Sequence, residues 1–224
     1  MGAHATDLQF KMIREHDSIL AASEKRLLVR MAGALPAWVN SDHLTFTGSV
    51  AMLGIGVSFW AGGWALLMVI PLLAVNWFGD SLDGTLARVR RCERPRYGYY
   101  VDHVLDAAGF AALVGGLILG GHLSPPAGLC FLSAYFLVVI EVALATHARG
   151  TFRLSAWGMG PTELRMLLAA GTLQLMRSEA VVLFGHRWLL FDVGALCGVA
   201  ALVATFVRAA IVNGVALYRE ERLP

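Results

Sequence analysis

Two long stretches without charge constrain the fold of this chain more than any other feature. Residues 44–79 contain no Asp, Glu, Lys, Arg or His, and residues 107–140 contain one ionisable side chain, His122. A helix needs about 20 apolar residues to cross the hydrocarbon core of a bilayer, so each stretch is long enough for two spans. The predicted turns between the paired spans are Ala61-Gly62-Gly63 and the Gly- and Pro-rich residues 120–126.

The composition of the whole chain agrees with a membrane location. The chain is 57% hydrophobic and 15% charged, with a mean hydropathy of +0.63, which makes it far more apolar than a soluble domain. A fifth span is predicted at about 164–184 and a sixth at about 188–212, although both contain charges. We therefore predict an all-α polytopic membrane protein in which residues 41–224 form a domain of six transmembrane helices.

Residues 1–40 have a different pattern. Apolar residues from Ile19 to Leu35 recur at roughly helical spacing, while the Lys and Arg residues among them fall on other faces. A helix of this kind lies on a membrane surface with its apolar face in the headgroup region. We predict that residues 1–40 form a cytoplasmic juxtamembrane segment with an N-terminal amphipathic interfacial helix, and a partly ordered tail is the alternative.

The basic residues are concentrated in alternate connections between the predicted spans. Of the 18 Lys and Arg residues, 14 lie in four segments: 11–30, 88–96, 149–153 and 219–222. The other connections carry Arg177 and Arg187. Because cytoplasmic loops carry an excess of Lys and Arg, we predict that both termini and residues 80–106 face the cytoplasm, in the inner (cytoplasmic) membrane.

Four aspartates flank the basic connection between the second and third predicted spans. Asp80 and Asp83 are three residues apart, and so share one face of a helix. Asp102 and Asp106 are four apart and share a face in the same way. Two helices meeting along these faces would bring four mutually repelling carboxylates together unless cations offset the charge. We predict two divalent cations, Mg²⁺ or Mn²⁺, which prefer oxygen ligands; solvated helix ends are the alternative.

The aspartates belong to a longer pattern, D-x-x-D-G-x-x-A-R, then nine residues, then G-x-x-x-D-x-x-x-D. Its eight fixed positions fall within 27 residues: Asp80, Asp83, Gly84, Ala87, Arg88, Gly98, Asp102 and Asp106. The pattern resembles the signature of the CDP-alcohol phosphotransferases, integral membrane enzymes of phospholipid biosynthesis. The resemblance implies a transferase whose six-helix domain is catalytic. It implies transfer of a substituted phosphate group, phosphatidyl from CDP-diacylglycerol, to an alcohol acceptor with release of CMP.

The resemblance also implies a role for each aspartate. In the resembled family the first three mainly bind metal, and the fourth takes a proton from the incoming alcohol. Carried over, the metal ligands are Asp80, Asp83 and Asp102. Asp106 is the catalytic general base and a further metal ligand. The alcohol then attacks the β-phosphorus of the CDP-alcohol directly, without a covalent enzyme intermediate.

Small residues beside the acids indicate where a nucleotide approaches. Gly84, Ala87 and Gly98 leave out side chains that would keep a ligand away from the helix backbone, with close helix packing as the alternative. Arg88 is a candidate partner for phosphate oxygens. The residues before the first span resemble the family's Pro/Asn/Leu-Thr segment, which makes Thr45 a predicted cytidine contact.

The motif does not specify the acceptor. Inositol phosphate, glycerol phosphate, serine, an amino alcohol and diacylglycerol would all use the same acids. Charged residues in or beside the later spans are the predicted acceptor-binding residues, since charges at membrane depth mark functional sites. They are Arg149, Arg153, Glu163, Arg165 and Arg208.

Two other functions are compatible with paired aspartates in a membrane protein. One is a Mg²⁺-dependent membrane prenyltransferase acting on a pyrophosphate, which usually has a longer chain with more spans. The other is a non-enzymatic divalent-cation carrier, which needs polar residues through its spans, whereas the first four spans here are nearly bare of them.

The predicted partners are membrane lipids, a CDP-alcohol and an alcohol acceptor, with no nucleic acid. The resemblance also implies a homodimer. Gly116 and Gly120, four residues apart in the third predicted span, offer a face for close approach of a second copy.

Overall fold

The computed structural model of the protein describes residues 21–149 and 161–221. Within these residues the chain forms seven α-helices, one 3-10 helix and one β-hairpin. The helices are α1 (Ala21–Ala34), α2 (Ser41–Ala61), a 3-10 helix (Gly63–Met68), α3 (Val69–Val89), α4 (Pro95–Leu119), α5 (Pro125–Arg149), α6 (Pro161–Leu175) and α7 (Leu190–Glu220). The hairpin strands are β1 (Ala180–Leu183) and β2 (His186–Leu189).

Five helices are long and apolar enough to cross a membrane, so the chain is an all-α integral membrane protein. They are α2, the 3-10 helix continued by α3, α4, α5 and α7. The predicted fifth span corresponds to α6, whose 15 described residues extend over only ~22 Å at 1.5 Å per residue. The predicted fifth span is therefore not confirmed within the described residues, whereas the predicted sixth span corresponds to α7.

The chain between α6 and α7 differs from the prediction. The predicted fifth span reached Phe184, whereas α6 ends at Leu175 and residues 180–189 form an antiparallel hairpin. Phe184 and Gly185 join its strands, both with positive φ, which is the backbone of the two-residue turns that suit the twist of a hairpin. Val181 and Val182 favour the extended conformation, whereas their apolar character alone predicted that they belong to a span.

The turns between the paired spans lie where they were predicted. Gly62, with φ of 63°, ends α2, and residues 120–124 separate α4 from α5. The start of α2 is fixed by Asn40, whose side chain accepts a hydrogen bond from the His43 backbone N–H while the His43 ring accepts one from Asn40 N–H. This reciprocal cap satisfies backbone donors that the helix itself cannot use.

Glycine lets α2 approach α3 and α4 at backbone distance. A Cβ on Gly79 of α3 would lie 2.7 Å from the backbone nitrogen of Gly48, and one on Gly116 of α4 would overlap the Gly56 carbonyl. A Cβ on Gly120 would overlap the carbonyl of Phe59 in the same way. The face predicted for dimer contact is thus used inside the chain, so that assignment was wrong, and the homodimer itself stays a prediction.

Two apolar clusters lie on either side of the aspartates. The larger one contains Ile55, Phe59, Val69 and Leu113 and lies toward the α4–α5 turn. The smaller one packs α1 against α2 and α3: its members are Leu28, Ala32, Val39, Leu44, Leu82 and Leu86. The described part of the predicted amphipathic helix therefore uses its apolar face against α3, and its location on a membrane surface stays a prediction.

Substituting Gly116 by Ala should destabilise the fold, because the added Cβ would force α4 away from the Gly56 carbonyl. We expect a loss of about 1–3 kcal/mol, the usual cost of overpacking, seen as a lower melting temperature in detergent. Gly115→Ala is the matched control, since no atom lies within 4 Å of its added Cβ. Equal melting temperatures for the two variants would contradict the proposed contact.

Candidate active site on α3 and α4

The four aspartates lie on two helices joined by a short basic connection. Asp80 and Asp83 are in the last three turns of α3, and Asp102 and Asp106 are in the third and fourth turns of α4. Pro95 starts α4, where its missing N–H costs nothing. The predicted helical spacings are therefore present, and each pair occupies one face of its helix.

Asp83 is held by the first turns of α2. Its carboxylate is buried and its Oδ2 accepts a 2.7 Å hydrogen bond from the Thr45 hydroxyl. The Ser41 hydroxyl donates to the backbone carbonyl of Asp83 at 2.9 Å. Thr45, predicted as a cytidine contact, thus has a protein partner in this structure, and the cytidine contact stays a prediction.

Asp80 pairs with a cation from α6. The Arg165 guanidinium donates through Nη2 to Asp80 Oδ2 and through Nε to the side-chain oxygen of Asn76, the latter at 2.8 Å. Arg165 is 17% exposed, and its Nη1 is buried without a hydrogen-bond partner among the described residues. A buried donor left in this way costs free energy that a ligand oxygen would recover.

Asp106 is exposed and connects the acids into one electrostatic cluster. It interacts with the charges of Asp80, Asp83 and Asp102, all of which repel it, and with Arg165, which attracts it. The cluster therefore holds four carboxylates and one described guanidinium, with an excess of negative charge. Tyr135 of α5 is close enough to Asp106 to interact with its charge. The Tyr135 ring stacks on that of Phe110 in α4, with 3.9 Å between the ring centroids.

The donor chemistry of this cluster fits divalent cations. Its carboxylate oxygens are the ligands that Mg²⁺ and Mn²⁺ prefer, and its excess negative charge requires compensation. In the described residues no three His, Cys, Asp or Glu side chains already surround a common metal position. Asp80 is engaged by Arg165 and Asp83 by Thr45, so these side chains must rearrange to share an ion.

The residues predicted to bind the nucleotide have different surroundings. A Cβ on Gly98 would meet no atom within 4 Å, so packing within the described chain does not require glycine there. Arg88 donates from Nη2 to the Thr85 hydroxyl at 3.1 Å. Gly84 and Ala87 lie on α3 beside them, partly exposed. Packing alone therefore explains Gly79 but not Gly98.

The predicted acceptor residues do not all reach the aspartates. Arg165 does, whereas Arg149 donates to the Asn213 side chain of α7 at 2.6 Å, and Asn213 in turn donates to Glu141. Arg208 is exposed on α7 and Glu163 lies in the first turn of α6. Arg153 falls outside the described residues.

The connection between α1 and α2 is fixed to the end of α3. Arg90 donates from its guanidinium to four backbone carbonyl oxygens: those of Leu35, Pro36, Ala37 and Val39. Arg94 forms an ion pair with Asp42 in the first turn of α2. Together these contacts hold the start of α2, and hence Thr45, against the aspartates.

Sequence reasoning missed Asn76, Ser41 and Tyr135. Asn76 is buried in α3 one turn before Asp80, and it is the one Asn in a run of 36 residues without charge. That isolation in an apolar span was the available signal, because a buried amide needs hydrogen-bond partners.

Comparison with known proteins gives one family. A model of the CDP-alcohol phosphatidyltransferase family matches residues 38–213, which is most of the chain and includes every helix from α2 to most of α7. No curated protein matches significantly.

Replacing Thr45 by Val should lower the stability of the protein and disturb Asp83, because the buried carboxylate would lose its hydroxyl donor without a change in volume. We expect a loss of about 1–3 kcal/mol for a hydrogen bond to a charged group, measured by thermal unfolding. Ser49→Ala is the control on the same helix, since the Ser49 hydroxyl bonds only to the Thr45 backbone carbonyl among the described residues. An equal effect of both variants would count against the Thr45–Asp83 contact.

Proposed function

This chain belongs to the CDP-alcohol phosphatidyltransferase family, and we propose that it transfers the phosphatidyl group of CDP-diacylglycerol to an alcohol with release of CMP. The family is one of membrane transferases that move a phosphatidyl group from a CDP-alcohol. The observation that carries the proposal for this chain is the pair of aspartate motifs on α3 and α4, where Thr45 hydrogen-bonds Asp83 and Arg165 pairs with Asp80. Because the aspartates and the pyrophosphate of the donor are both negatively charged, the donor can bind here only when cations compensate the two charges.

The aspartates are the proposed metal ligands. Members of the family generally depend on divalent cations, and Asp80, Asp83, Asp102 and Asp106 would hold two, Mg²⁺ or Mn²⁺. When bound, such cations neutralise charge on the pyrophosphate oxygens and orient the displacement. Thr45 and Ser41 contribute by fixing the position of Asp83.

Asp106 is the proposed general base. The residue Asp106 has accessible surface, whereas the other three aspartates are partly or fully buried, which supports contact with an acceptor hydroxyl. Asp106 takes the hydroxyl proton while the acceptor oxygen forms a bond to the β-phosphorus. The bond from that phosphorus to the bridging oxygen breaks, and the bridging oxygen leaves as part of CMP.

The nucleotide is proposed to lie along the part of α3 that carries Gly84 and Ala87 and along the start of α4. The open space around Gly98 gives room for it, with Gly84 and Ala87 lining its approach. Arg88 is the proposed partner of a phosphate oxygen. Thr45, at the start of α2, remains the proposed cytidine contact.

The acceptor is proposed to enter beside α6. Arg165 has a buried nitrogen with hydrogen-bond capacity left among the described residues, which favours an anionic or strongly polar acceptor group. Arg149, engaged with α7, is a weaker candidate on the same argument. The site is proposed to face the cytoplasmic side of the inner membrane, which the excess of Lys and Arg in the connections on that side favours. Two copies of the chain are proposed to form the functional unit.

Replacing Asp80 or Asp102 by Asn should abolish turnover, because each change removes a charged metal ligand. Asp106→Asn should reduce turnover by roughly 10²–10⁴-fold, the usual contribution of a general base. It should leave the affinity for CDP-diacylglycerol within a few-fold, since three acids remain. Turnover would be followed as CMP release and affinity by calorimetry. A parallel loss of affinity in Asp106→Asn would make Asp106 chiefly a metal ligand.

The overall reaction is tested by an acceptor screen with purified protein. CDP-diacylglycerol and Mn²⁺ or Mg²⁺ would be supplied with glycerol phosphate, inositol phosphate, serine or an amino alcohol, and CMP would be quantified. We expect that CMP is released with one of these acceptors, in an amount equal to that of the new lipid formed. A chelator should stop the reaction. Release of inorganic pyrophosphate with prenyl transfer, or cation transport without CMP, would replace the proposed function by one of its two alternatives.

A further inference from the structure

Asn76 makes two hydrogen bonds that leave its amide only one orientation. Its Nδ2 donates to the backbone carbonyl of Gly48 at 3.0 Å, and its Oδ1 accepts from Arg165 Nε at 2.8 Å. A carbonyl can only accept and a guanidinium can only donate, so exchanging the amide oxygen and nitrogen would break both bonds. The side chain is also buried, and no solvent competes for these positions.

The orientation of Asn76 determines how Arg165 meets Asp80. The Nε–Nη2 edge of a guanidinium can bind both oxygens of one carboxylate in a bidentate pair. Here the edge is shared: Nε goes to Asn76, and Nη2 goes to Asp80 Oδ2. Among the described residues, this is the one hydrogen bond that the Asp80 carboxylate makes.

The two acceptors can share the edge because of their spacing. Asn76 and Asp80 are four residues apart on α3, so their side chains lie one above the other on the same face. Arg165 reaches both from α6. The neutral amide of Asn76 thus binds Arg165 Nε, a donor that would otherwise be available to the Asp80 carboxylate.

We propose that Asn76 is a positioning residue that restricts Arg165 to a single hydrogen bond with Asp80, which keeps the second oxygen of that carboxylate for a divalent cation. This inference rests on the proposed function, because it requires a cation at the aspartates. Without Asn76, Arg165 pairs with both oxygens of Asp80 and competes with the cation. Arg165 thereby compensates the charge of Asp80 without blocking it.

The test is Mn²⁺ binding to the full-length protein in detergent, without nucleotide, measured by electron paramagnetic resonance of free Mn²⁺. Asn76→Leu should weaken binding roughly tenfold, the equivalent of one additional charge-assisted hydrogen bond to be displaced. The double variant Asn76→Leu/Arg165→Met should recover the affinity of Arg165→Met alone, because the competing guanidinium is gone. Asn76→Asp keeps an oxygen for Arg165 Nε but loses the donor to Gly48, and should bind Mn²⁺ no more weakly than the unaltered protein.

A purely structural role of Asn76 gives a different pattern. Loss of the bond to Gly48 would then weaken Asn76→Leu and Asn76→Asp alike, and removing Arg165 would restore neither; that result overturns the proposal. Thr172→Val is the control for a substitution at a buried position of α6, since the Thr172 hydroxyl donates to the Leu168 carbonyl. This variant should leave the affinity for Mn²⁺ unchanged. If Asn76→Leu does not fold, Asn76→Ala carries the same expectation.

The two proposals fail in distinguishable ways. Absence of Mn²⁺ binding by the unaltered protein contradicts the metal site of the proposed function and this inference with it. Normal Mn²⁺ binding by the unaltered protein together with unchanged binding by Asn76→Leu overturns the inference alone.

Discussion

The near-backbone contact between α2 and α3 is the interaction on which the site depends. Gly48 and Gly79 bring the two helices so close that the Gly48 carbonyl is within hydrogen-bond reach of Asn76. The same approach places Thr45 over the carboxylate of Asp83. One contact between glycines therefore fixes polar groups on both sides of the motif, and side chains larger than hydrogen at the crossing would separate them.

Charge compensation explains why polar groups from α2 and α6 converge on the aspartates. Acids close to apolar spans are costly unless paired, and water cannot screen them as it does at a soluble surface. In this structure the Thr45 hydroxyl donates to Asp83 and the Arg165 guanidinium pairs with Asp80. Both contacts involve elements distant in sequence, α2 and α6, so the chemistry and the helix packing are linked.

The sequence was sufficient for the features that depend on local pattern. Charge-free runs predicted the first four spans, and motif spacing predicted the shared faces of the aspartates. Features that depend on which helix becomes a neighbour were missed. The spacing of Gly116 and Gly120 predicted contact with a second copy because spacing alone does not identify a partner. The contact between Asn76 and Arg165 was not predicted because these residues are 89 positions apart in the sequence. The hairpin at Phe184 was read as helix because apolar strands and spans have the same composition.

The Arg90 contacts have a consequence for the order in which the protein is assembled. Four carbonyls of the α1–α2 connection are bound by a side chain that lies after α3, so they acquire their partner only once both α2 and α3 have been synthesised. A chain that ends before residue 90 therefore contains α1 and α2 but lacks the guanidinium that binds their connection.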